Sequence, residues 1–172
     1  MKLQVGCSEV RGRYKQAEWV NLDIEPHDGV DIIADASDHI PLDVNSIDEI
    51  HCVHVLEHVT RDKYKPMLRE MHRVLKPGGH LYVEVPDFQG TVSHLMGAFE
   101  VGDVEAIHIW TTSVYGKNER PGMAHHMGFY EGLLRREFRN QGFTDVDRLV
   151  EKEDMISTHY KQEPILLVRG TK

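Results

Sequence analysis

This sequence has few cysteines, no long apolar run and fewer basic than acidic residues, and each of these features argues against a class of protein. The 172 residues include two cysteines, Cys7 and Cys52, which are too few for a disulfide framework. No apolar stretch is long enough to span a bilayer, and we see no positively charged, apolar leader at the start. We therefore expect a cytoplasmic protein that does not use a membrane as a partner.

Acidic residues outnumber basic ones by 28 to 20, so the formal net charge is −8. Because a negative surface repels phosphate backbones, nucleic acid is not expected as a partner. A cationic ligand meets no such penalty. Hydrophobic residues make up 40% of the chain, which is enough to bury the core of a single domain over residues 1–172. The 12 histidines make metal binding a matter for experiment.

Short apolar strands alternate with helical patterns along most of the chain. A helical stripe with i, i+3, i+4 spacing begins near Lys65 and ends at Lys76-Pro77-Gly78-Gly79. Helical spacing returns three times after it, and the last two strands are expected to pair antiparallel. Strands are predicted over residues 2–6, 20–23, 30–35, 47–53, 81–85, 143–150 and 164–168, and the later helices over 92–99, 104–111 and 130–138.

This alternation predicts an α/β fold, a Rossmann-like, doubly wound, mainly parallel seven-stranded sheet with helices on both faces and an antiparallel last strand. The first crossover, from Cys7 to Glu18, has close to the minimum length, so its helix is expected to be short or irregular. Residues 88–128 show no strand pattern and are expected to form a variable insertion.

Four candidate binding residues, Gly6, Asp23, Asp35 and His54, each follow a predicted strand. Right-handed crossovers bring the carboxyl ends of parallel strands to one edge of the sheet, where ligands of such folds bind. Glycine permits a sharp turn or a close approach to a ligand, and a carboxylate after the second strand suits a ribose. Taken alone, Gly6 could equally serve only to end its strand in a turn, and Asp23 could be an ordinary surface aspartate with no ligand. Together the four residues predict a nucleotide site.

In order and spacing, the segments of the chain resemble the class I S-adenosylmethionine-dependent methyltransferases, in their small type 11 group. The resemblance covers nearly the whole chain, and Lys-Pro-Gly-Gly just before a strand is a fairly specific feature. The matching pieces are Val5-Gly6-Cys7, Trp19-Val-Asn-Leu-Asp23, Ile33-Ala-Asp35, Ile40-Pro-Leu, Ser46-Ile-Asp-Glu-Ile50, Val55-Leu-Glu-His58, Arg73-Val-Leu-Lys-Pro-Gly-Gly79, Val83-Glu-Val-Pro86, Phe129-Tyr-Glu and Gly142-Phe143.

The resemblance implies that S-adenosylmethionine is the cofactor and that it binds along the strand ends. By this similarity, Asp23 accepts hydrogen bonds from both ribose hydroxyls, and Asp35 accepts one from the adenine amine. The backbone after the fourth strand faces the methionine amino group. The cofactor-binding residues implied in this way are Gly6, Cys7, Asp23, Ile24, Asp35, Ala36 and His54.

Two features depart from the family pattern. Ser8 replaces the second glycine of the usual Gly-x-Gly turn, so the backbone there cannot take positive φ freely. The N-terminal helix that covers the cofactor in larger relatives is also expected to be absent. We therefore expect either an open site or one covered by residues 88–128 or by a second subunit of a homodimer.

The activity implied by the resemblance is methyl transfer to an oxygen or nitrogen of a small-molecule or glycan-precursor acceptor. A hydroxyl acceptor must lose its proton, and histidine is the natural base near neutral pH. The candidates are His54, His58, His125 and His126. We select His126, in the variable loop, and His58, which has an alternative structural role in tying down its loop. No metal ligand is assigned.

Three other functions stay open at this point. The string His54-Val-Leu-Glu57-His58 matches the H-x-x-E-H pattern of zinc peptidases, in which two histidines on one helix face bind the metal. A nicotinamide-dependent oxidoreductase would also place Asp23 on a ribose, although most glycines of its phosphate-binding turn are missing. The third is a non-catalytic, S-adenosylmethionine-binding partner or regulatory protein.

Overall fold

The computed structural model describes residues 1–6, 12–117, 122–150 and 164–172 of the chain. These residues form one seven-stranded sheet in the order β3-β2-β1-β4-β5-β7-β6. The strands are β1 (Lys2–Val5), β2 (Trp19–Asp23), β3 (Ile32–Ile33), β4 (Ile47–Val53), β5 (Leu75–Pro86), β6 (Thr144–Leu149) and β7 (Ile165–Thr171). The α-helices are α1 (Tyr64–Val74), α2 (Phe88–Val101), α3 (Val104–Tyr115) and α4 (Glu131–Asn140), and two 3-10 helices span Gly12–Lys15 and Leu56–His58.

Strands β1 to β5 run parallel, and β7 pairs antiparallel with β5 on one side and with β6 on the other. This arrangement confirms the predicted Rossmann-like, mainly parallel sheet and the antiparallel pairing of the last two strands. The chain builds outward from β1 through β2 and β3, and then on the other side through β4 and β5. In open sheets of this kind, ligands bind at the carboxyl ends of the strands beside this reversal of order.

One face of the sheet carries the apolar core. Alternate residues of each strand point to it, such as Leu3 and Val5, whose exposed fractions are 0% and 1%. Helix α4 packs on this face through Leu134 and Phe138. Helix α1 packs beside it with four residues of the predicted stripe, Tyr64, Met67, Leu68 and Met71, and with Val74. Leu75, predicted as the last member of the stripe, is also buried but begins β5.

The opposite face of the sheet is polar and aromatic. Gln4, His51 and Tyr82 lie side by side in register across β1, β4 and β5. The hydroxyl of Tyr14 lies 3.0 Å from Nδ1 of His51. In the described part of the crossover from β1 to β2, the chain forms the 3-10 helix instead of an α-helix. The connection is too short for a full helix, as its length in the sequence indicates.

Strand β3 has two residues instead of the six predicted. Before it, the carboxylate of Asp31 accepts a hydrogen bond from the backbone N–H of Asn21 at 2.8 Å. After it, the carboxylate of Asp35 accepts one from the backbone N–H of Ser37 at 2.8 Å. Because aspartate side chains compete with the strand ladder for backbone N–H groups, regular pairing stops at both ends.

Strand β5 begins earlier than predicted. Helix α1 ends at Val74, directly before the turn residues that predict its end. The following Lys76–Gly79 stretch forms a bulge within the strand, with Gly78 at a φ of +79°. It stays attached to the sheet because Leu75 pairs with Ile47 and the carbonyl of Gly79 accepts a hydrogen bond from the N–H of Lys172 at 3.0 Å. A proline close to the start of a strand costs little ladder bonding.

Helices α2 and α3 form a helical hairpin within residues 88–128. The carboxylate of Asp87 accepts from the N–H of Gly90, and that of Asp103 accepts from the N–H of Ala106, so each helix has an N-cap. The helices end at Gly102 and Gly116, both with positive φ. Within the described ranges, no helix is both long enough and apolar enough to cross a membrane.

Candidate functional site

Gly6 occupies the sharp turn after β1 at the centre of the sheet. Its φ is +73°, a conformation that L side chains rarely adopt. A Cβ atom at this position would overlap Cγ2 of Val55, which follows β4. The N–H of Gly6 donates to the carbonyl of Leu22 at 2.8 Å. The predicted turn is therefore present, and the chain after β4 packs directly against it.

Asp23 lies at the end of β2 and is 7% exposed. Its Oδ1 accepts a hydrogen bond from the N–H of Glu25 at 3.0 Å, which fixes the carboxylate at the strand end. Its carbonyl accepts from the N–H of Ala34 at 2.9 Å. The neighbouring Ile24 is 63% exposed, an unusual position for an apolar side chain beside a buried carboxylate. An apolar ligand ring could cover it.

Asp35 follows β3, next to the buried Ala36. Its carboxylate accepts from the N–H of Ser37 at 2.8 Å, from Oγ of Ser37 at 2.5 Å and from Nζ of Lys63 at 3.1 Å. Burial raises the pKa of Asp35, but these hydrogen bonds outweigh it and hold the pKa below its usual range. A carboxylate has about four acceptor positions, so one more donor can still be accommodated.

His54 follows β4 with a φ of +51°, and its N–H donates to the carbonyl of Glu84 at 2.8 Å. Its Nδ1 lies 3.1 Å from Oε1 of Glu57, and its Nε2 lies 3.6 Å from Oε1 of Glu84. Burial of the ring lowers the pKa of His54, but the hydrogen bond to Glu57 and the negative charges of Glu57 and Glu84 outweigh it and raise the pKa to about 9. The ring is therefore a buried imidazolium at neutral pH.

A narrow recess lies beyond His54, between β5 and the helical hairpin. Three buried polar side chains line it, namely Glu57, Thr91 and Ser113. In the described part of the chain, Oε2 of Glu57, Oγ1 of Thr91 and Oγ of Ser113 have no hydrogen-bond partner. Buried polar atoms normally have partners, so these three atoms together mark a position for bound water or for a polar group of a ligand. The other lining residues are Pro86, Phe88, Val114, His125, Met127 and Gly128.

The candidate histidines have different surroundings. Nδ1 of His125 lies 2.8 Å from the carbonyl of Ser113, and Nδ1 of His58 lies 3.1 Å from the carbonyl of Ala124. Because a carbonyl can only accept, each Nδ1 carries the proton. Burial lowers the pKa of His125, so its ring is neutral at pH 7 with a lone pair on Nε2. His126 is exposed, and its backbone N–H donates to the carbonyl of Glu57 at 2.7 Å.

Comparisons with known proteins concern both the strand-end residues and the recess beyond His54. The methyltransferase domain family matches residues 4–83. An S-adenosylmethionine-dependent methyltransferase from Thermotoga maritima, described as a possible histamine N-methyltransferase, superposes with a TM-score of 0.63 at 20% identity, over 99% of this chain and 81% of that one. A Methanosarcina mazei S-adenosylmethionine-dependent methyltransferase gives 0.63 at 16% identity, over 99% and 91%.

Phosphoethanolamine N-methyltransferase 2 of Haemonchus contortus, in complex with S-adenosyl-L-methionine, superposes with a TM-score of 0.62 at 12% identity, over 99% of this chain and 48% of that one. No curated protein matches the sequence significantly. Residues 4–83 thus match the methyltransferase domain family, and the fold of the described chain is that of S-adenosylmethionine-dependent methyltransferases. Gly6, Asp23, Asp35 and His54 of this methyltransferase fold lie within the matched segment, whereas most of the recess is formed by residues beyond it.

The strand-end residues of the methyltransferase fold fit the cofactor of this family. Gly6 leaves open the space that a Cβ would fill, Asp23 presents a buried carboxylate at the correct strand end, and Asp35 has one acceptor position left. Cys7, which the sequence assigned to the cofactor, lies outside the described residues, as does Ser8.

The zinc-peptidase interpretation of His54-Val-Leu-Glu57-His58 required both histidines on one helix face. In this methyltransferase fold, His54 precedes the 3-10 helix Leu56–His58 and has positive φ, so the segment is not a continuous helix. The ring of His54 is engaged by Glu57 and Glu84. The structure therefore does not build the peptidase arrangement.

Sequence reasoning did not select Glu57, Thr91 or Ser113. Glu57 was named only within the zinc-peptidase pattern and the Val55-Leu-Glu-His58 segment, without a role in the methyltransferase site. No sequence pattern marks Thr91 or Ser113. They lie within helices α2 and α3, and only the packing of these two helices brings them to the same recess. His125 was a candidate, but its neighbour His126 was preferred.

Proposed function

We propose that this protein transfers a methyl group from S-adenosylmethionine to an oxygen or nitrogen of a small molecule. The observation that supports the proposal is the recess lined by three buried polar atoms without partners, directly beyond the strand ends that suit the cofactor. The names of two relatives, the possible histamine N-methyltransferase and the phosphoethanolamine N-methyltransferase, also favour a small polar acceptor.

The cofactor would be held by Gly6 and His54 at its methionine end and by Asp23 at its ribose. Asp35, Ala36 and the exposed Ile24 would contact the adenine. A charge-assisted hydrogen bond of the kind proposed for Asp23 contributes about 1.5–3 kcal/mol. The cofactor supplies a methyl group on a positively charged sulfur. The protein then has to hold the acceptor in line with it, because proximity and alignment contribute most of the catalysis in such displacements.

The acceptor would bind among Glu57, Thr91 and Ser113, so that residues 88–128 act as the acceptor-side insertion. The two hydroxyls can donate or accept, and the carboxylate accepts. These groups match a polar acceptor that carries N–H or O–H groups. A non-catalytic cofactor-binding protein has no need for such a recess, and for this reason we favour the enzyme.

A hydroxyl acceptor would also need a base. The positions of the histidines favour His125 or His58 over His126, because their protonated Nδ1 atoms are fixed by carbonyls and Nε2 is left available. The catalytic roles of His58 and His126 stay predictions. Activity of the His125→Ala and His126→Ala variants, measured in parallel, distinguishes the two neighbouring residues.

Asp23→Ala is expected to weaken binding of S-adenosylhomocysteine at least tenfold, because the variant loses the proposed acceptor of the ribose hydroxyls. Ten-fold corresponds to about 1.4 kcal/mol, below the usual strength of such a bond. Isothermal titration calorimetry measures the change. The control is Asp28→Ala, an exposed carboxylate in the loop that follows, which should leave the affinity unchanged. Equal affinities of the Asp23 variant and the natural protein would show that the ribose contact is misassigned.

Transfer itself is tested with S-adenosylmethionine that carries a labelled methyl group. The purified chain is incubated with sets of small amines, alcohols and phenols, and labelled product is separated from the cofactor. We expect transfer to at least one polar class. If S-adenosylhomocysteine does not bind at millimolar concentration, the proposal fails. If it binds but no acceptor class is methylated, the regulatory alternative is favoured.

Thr91→Val is expected to stabilise the ligand-free protein by about 1 kcal/mol, because it replaces a buried hydroxyl without a partner by a methyl group of similar shape. Urea unfolding measures the change. The matched control is Thr112→Val, whose hydroxyl donates to the carbonyl of His108 at 2.9 Å and which should change stability little. A loss of stability in Thr91→Val would mean that this hydroxyl has a structural partner instead of a role in the recess.

A further inference from the structure

We propose that Glu57, His58 and His125 form a binding site for one divalent transition-metal ion, for which Zn²⁺ is the appropriate probe. This site shares no residue with those assigned to the cofactor, although Glu57 contacts His54, and metal binding can be measured without any cofactor. The proposal rests on the geometry of three side chains, on the groups that orient them and on one buried carboxylate oxygen.

The three side chains already converge. One carboxylate oxygen of Glu57 and one ring nitrogen from each of His58 and His125 all lie within 4.8 Å of one another. In a tetrahedral zinc site with bonds near 2.0–2.1 Å, nitrogen and oxygen donors are about 3.3 Å apart. Closing the remaining distance requires shifts of about 1 Å, which small side-chain rotations supply. Two imidazoles with one carboxylate suit zinc and its transition-metal neighbours better than magnesium or calcium.

Both histidines are oriented as metal ligands usually are. Metal-bound histidines donate their second ring N–H to a carbonyl or carboxylate, which fixes the ring and leaves the other nitrogen for the metal. Here the Nδ1 atoms of His58 and His125 face the carbonyls of Ala124 and Ser113. The backbone of His125 is also held, because its N–H donates to the carbonyl of Tyr115 at 3.0 Å.

Glu57 adds an independent observation. The residue is 2% exposed, and its Oε1 faces Nδ1 of His54 at 3.1 Å. Its other oxygen, Oε2, is buried and has no hydrogen-bond partner in the described part of the chain. An unsatisfied buried carboxylate oxygen costs free energy that protein structures usually avoid. A cation between the carboxylate and the two imidazoles removes this cost.

The ligand number distinguishes this site from a structural one. Structural zinc sites have four protein ligands, whereas sites that act on substrates have three and keep one position open. Glu57 and His125 also line the acceptor recess. The open position would therefore face the proposed acceptor, and with metal bound the Nε2 atoms of His58 and His125 are ligands and do not act as the base. Its ligand set also differs from that of the peptidase pattern, because His125 replaces His54.

The test uses the full chain, freed of metal with a chelator and dialysed against Zn²⁺, with bound metal counted by elemental analysis. Co²⁺ serves as a second probe, because its visible absorption reports tetrahedral coordination. Competition with a metal-binding dye gives the affinity. We expect one zinc ion per chain. His125→Ala should weaken binding at least 100-fold, while the adjacent His126→Ala should change it less than twofold.

Equal effects of the two histidine variants, or no stoichiometric metal in the natural protein, would overturn the proposal. Glu57→Gln is a second test, provided that circular dichroism shows it folded, and it should also weaken binding at least 100-fold. Calorimetry with S-adenosylhomocysteine on the same samples separates the two proposals. Cofactor binding without zinc binding would contradict the metal site alone, and zinc binding without cofactor binding would contradict the proposed function alone.

Discussion

Gly6→Ala is expected to destabilise the protein by about 3 kcal/mol and to abolish measurable binding of S-adenosylhomocysteine. An L side chain at a φ of +73° costs about 1–2 kcal/mol. The added Cβ would also overlap Cγ2 of Val55, and overpacking of this kind costs typically 1–3 kcal/mol. To relieve the overlap, the turn after β1 and the chain after β4 must separate at the proposed position of the methionine part of the cofactor. Urea unfolding and calorimetry measure the two effects.

Two further variants separate the causes. Gly78 also has positive φ, at +79°, but a Cβ there would meet no atom within 4 Å. Gly78→Ala should therefore show the conformational cost alone, about 1–2 kcal/mol, with cofactor affinity unchanged. In the double variant Gly6→Ala/Val55→Ala, the steric part should disappear, so the two substitutions should not be additive. If Gly6→Ala costs no more than Gly78→Ala, Val55 does not restrict this turn.

Much of the strand-end site could be predicted from the sequence, because the residue types at the strand ends and the parallel pairing of the strands both indicate a site at the same edge of the sheet. The apolar segment before Gly6 and the carboxylate that ends β2 each have a strong local signal. The alternation of strands and helices then requires parallel pairing, and parallel pairing brings the strand ends to one edge. The antiparallel pairing of the last two strands was predicted from the polar connection between them, whereas the order of the strands in the sheet was not predicted.

The recess could not be predicted in the same way, because it depends on packing that no local pattern encodes. Thr91 and Ser113 lie on separate helices, and they meet only because α2 and α3 form a hairpin over β5. The adjacent histidines His125 and His126 are indistinguishable in sequence. The carbonyl of Ser113 selects the first by accepting from its ring, whereas the second is exposed.

The His54-Val-Leu-Glu57-His58 segment has the residue types of the zinc-peptidase pattern but not the helix that would place its two histidines on one face. A helix would place the two histidines one turn apart on one face. Here His54 is instead a buried imidazolium between Glu57 and Glu84, and His58 turns toward His125, with ring centroids 4.9 Å apart. A zinc measurement on the natural protein alone therefore does not separate a peptidase from this methyltransferase fold. The His125→Ala variant does, because His125 is not part of the peptidase pattern.

Glu70→Gln is expected to lower the stability at pH 7 by about 3 kcal/mol and to reduce the acid sensitivity of the fold. The hydrogen bonds from Arg73 to Glu70 lower the pKa of that carboxyl from 4.5 to about 2. Glu70 also accepts from the N–H of Ile40, and Arg73 donates to the carbonyls of Ile40 and Leu42. The Glu70–Arg73 pair on α1 therefore holds the loop that contains Ile40 and Leu42, which follows Asp35, in place by hydrogen bonds. A lowering of this size corresponds to about 3 kcal/mol through proton linkage.

The sign of the pH dependence follows from the lowered pKa. Above pH 4.5 both folded and unfolded chains carry an ionised Glu70, so the full contribution is present. As the pH falls from 4.5 toward 2, the unfolded chain binds a proton first, and the contribution is lost. The difference in stability between the natural protein and Glu70→Gln should therefore shrink by about half between pH 7 and pH 3. Urea unfolding at both pH values measures it.

The matched control for Glu70→Gln is Glu131→Gln, which removes another helical carboxylate that pairs with arginine but is 36% exposed. Exposed pairs contribute little, so the control should lose no more than about 0.5 kcal/mol, with little dependence on pH. The Glu70 variant should also bind S-adenosylhomocysteine more weakly, because the loop it releases leads directly from the proposed adenine contacts at Asp35 and Ala36. Equal losses in the two variants would mean that the Glu70–Arg73 pair acts as an ordinary surface pair and does not hold the adenine side of the site in place.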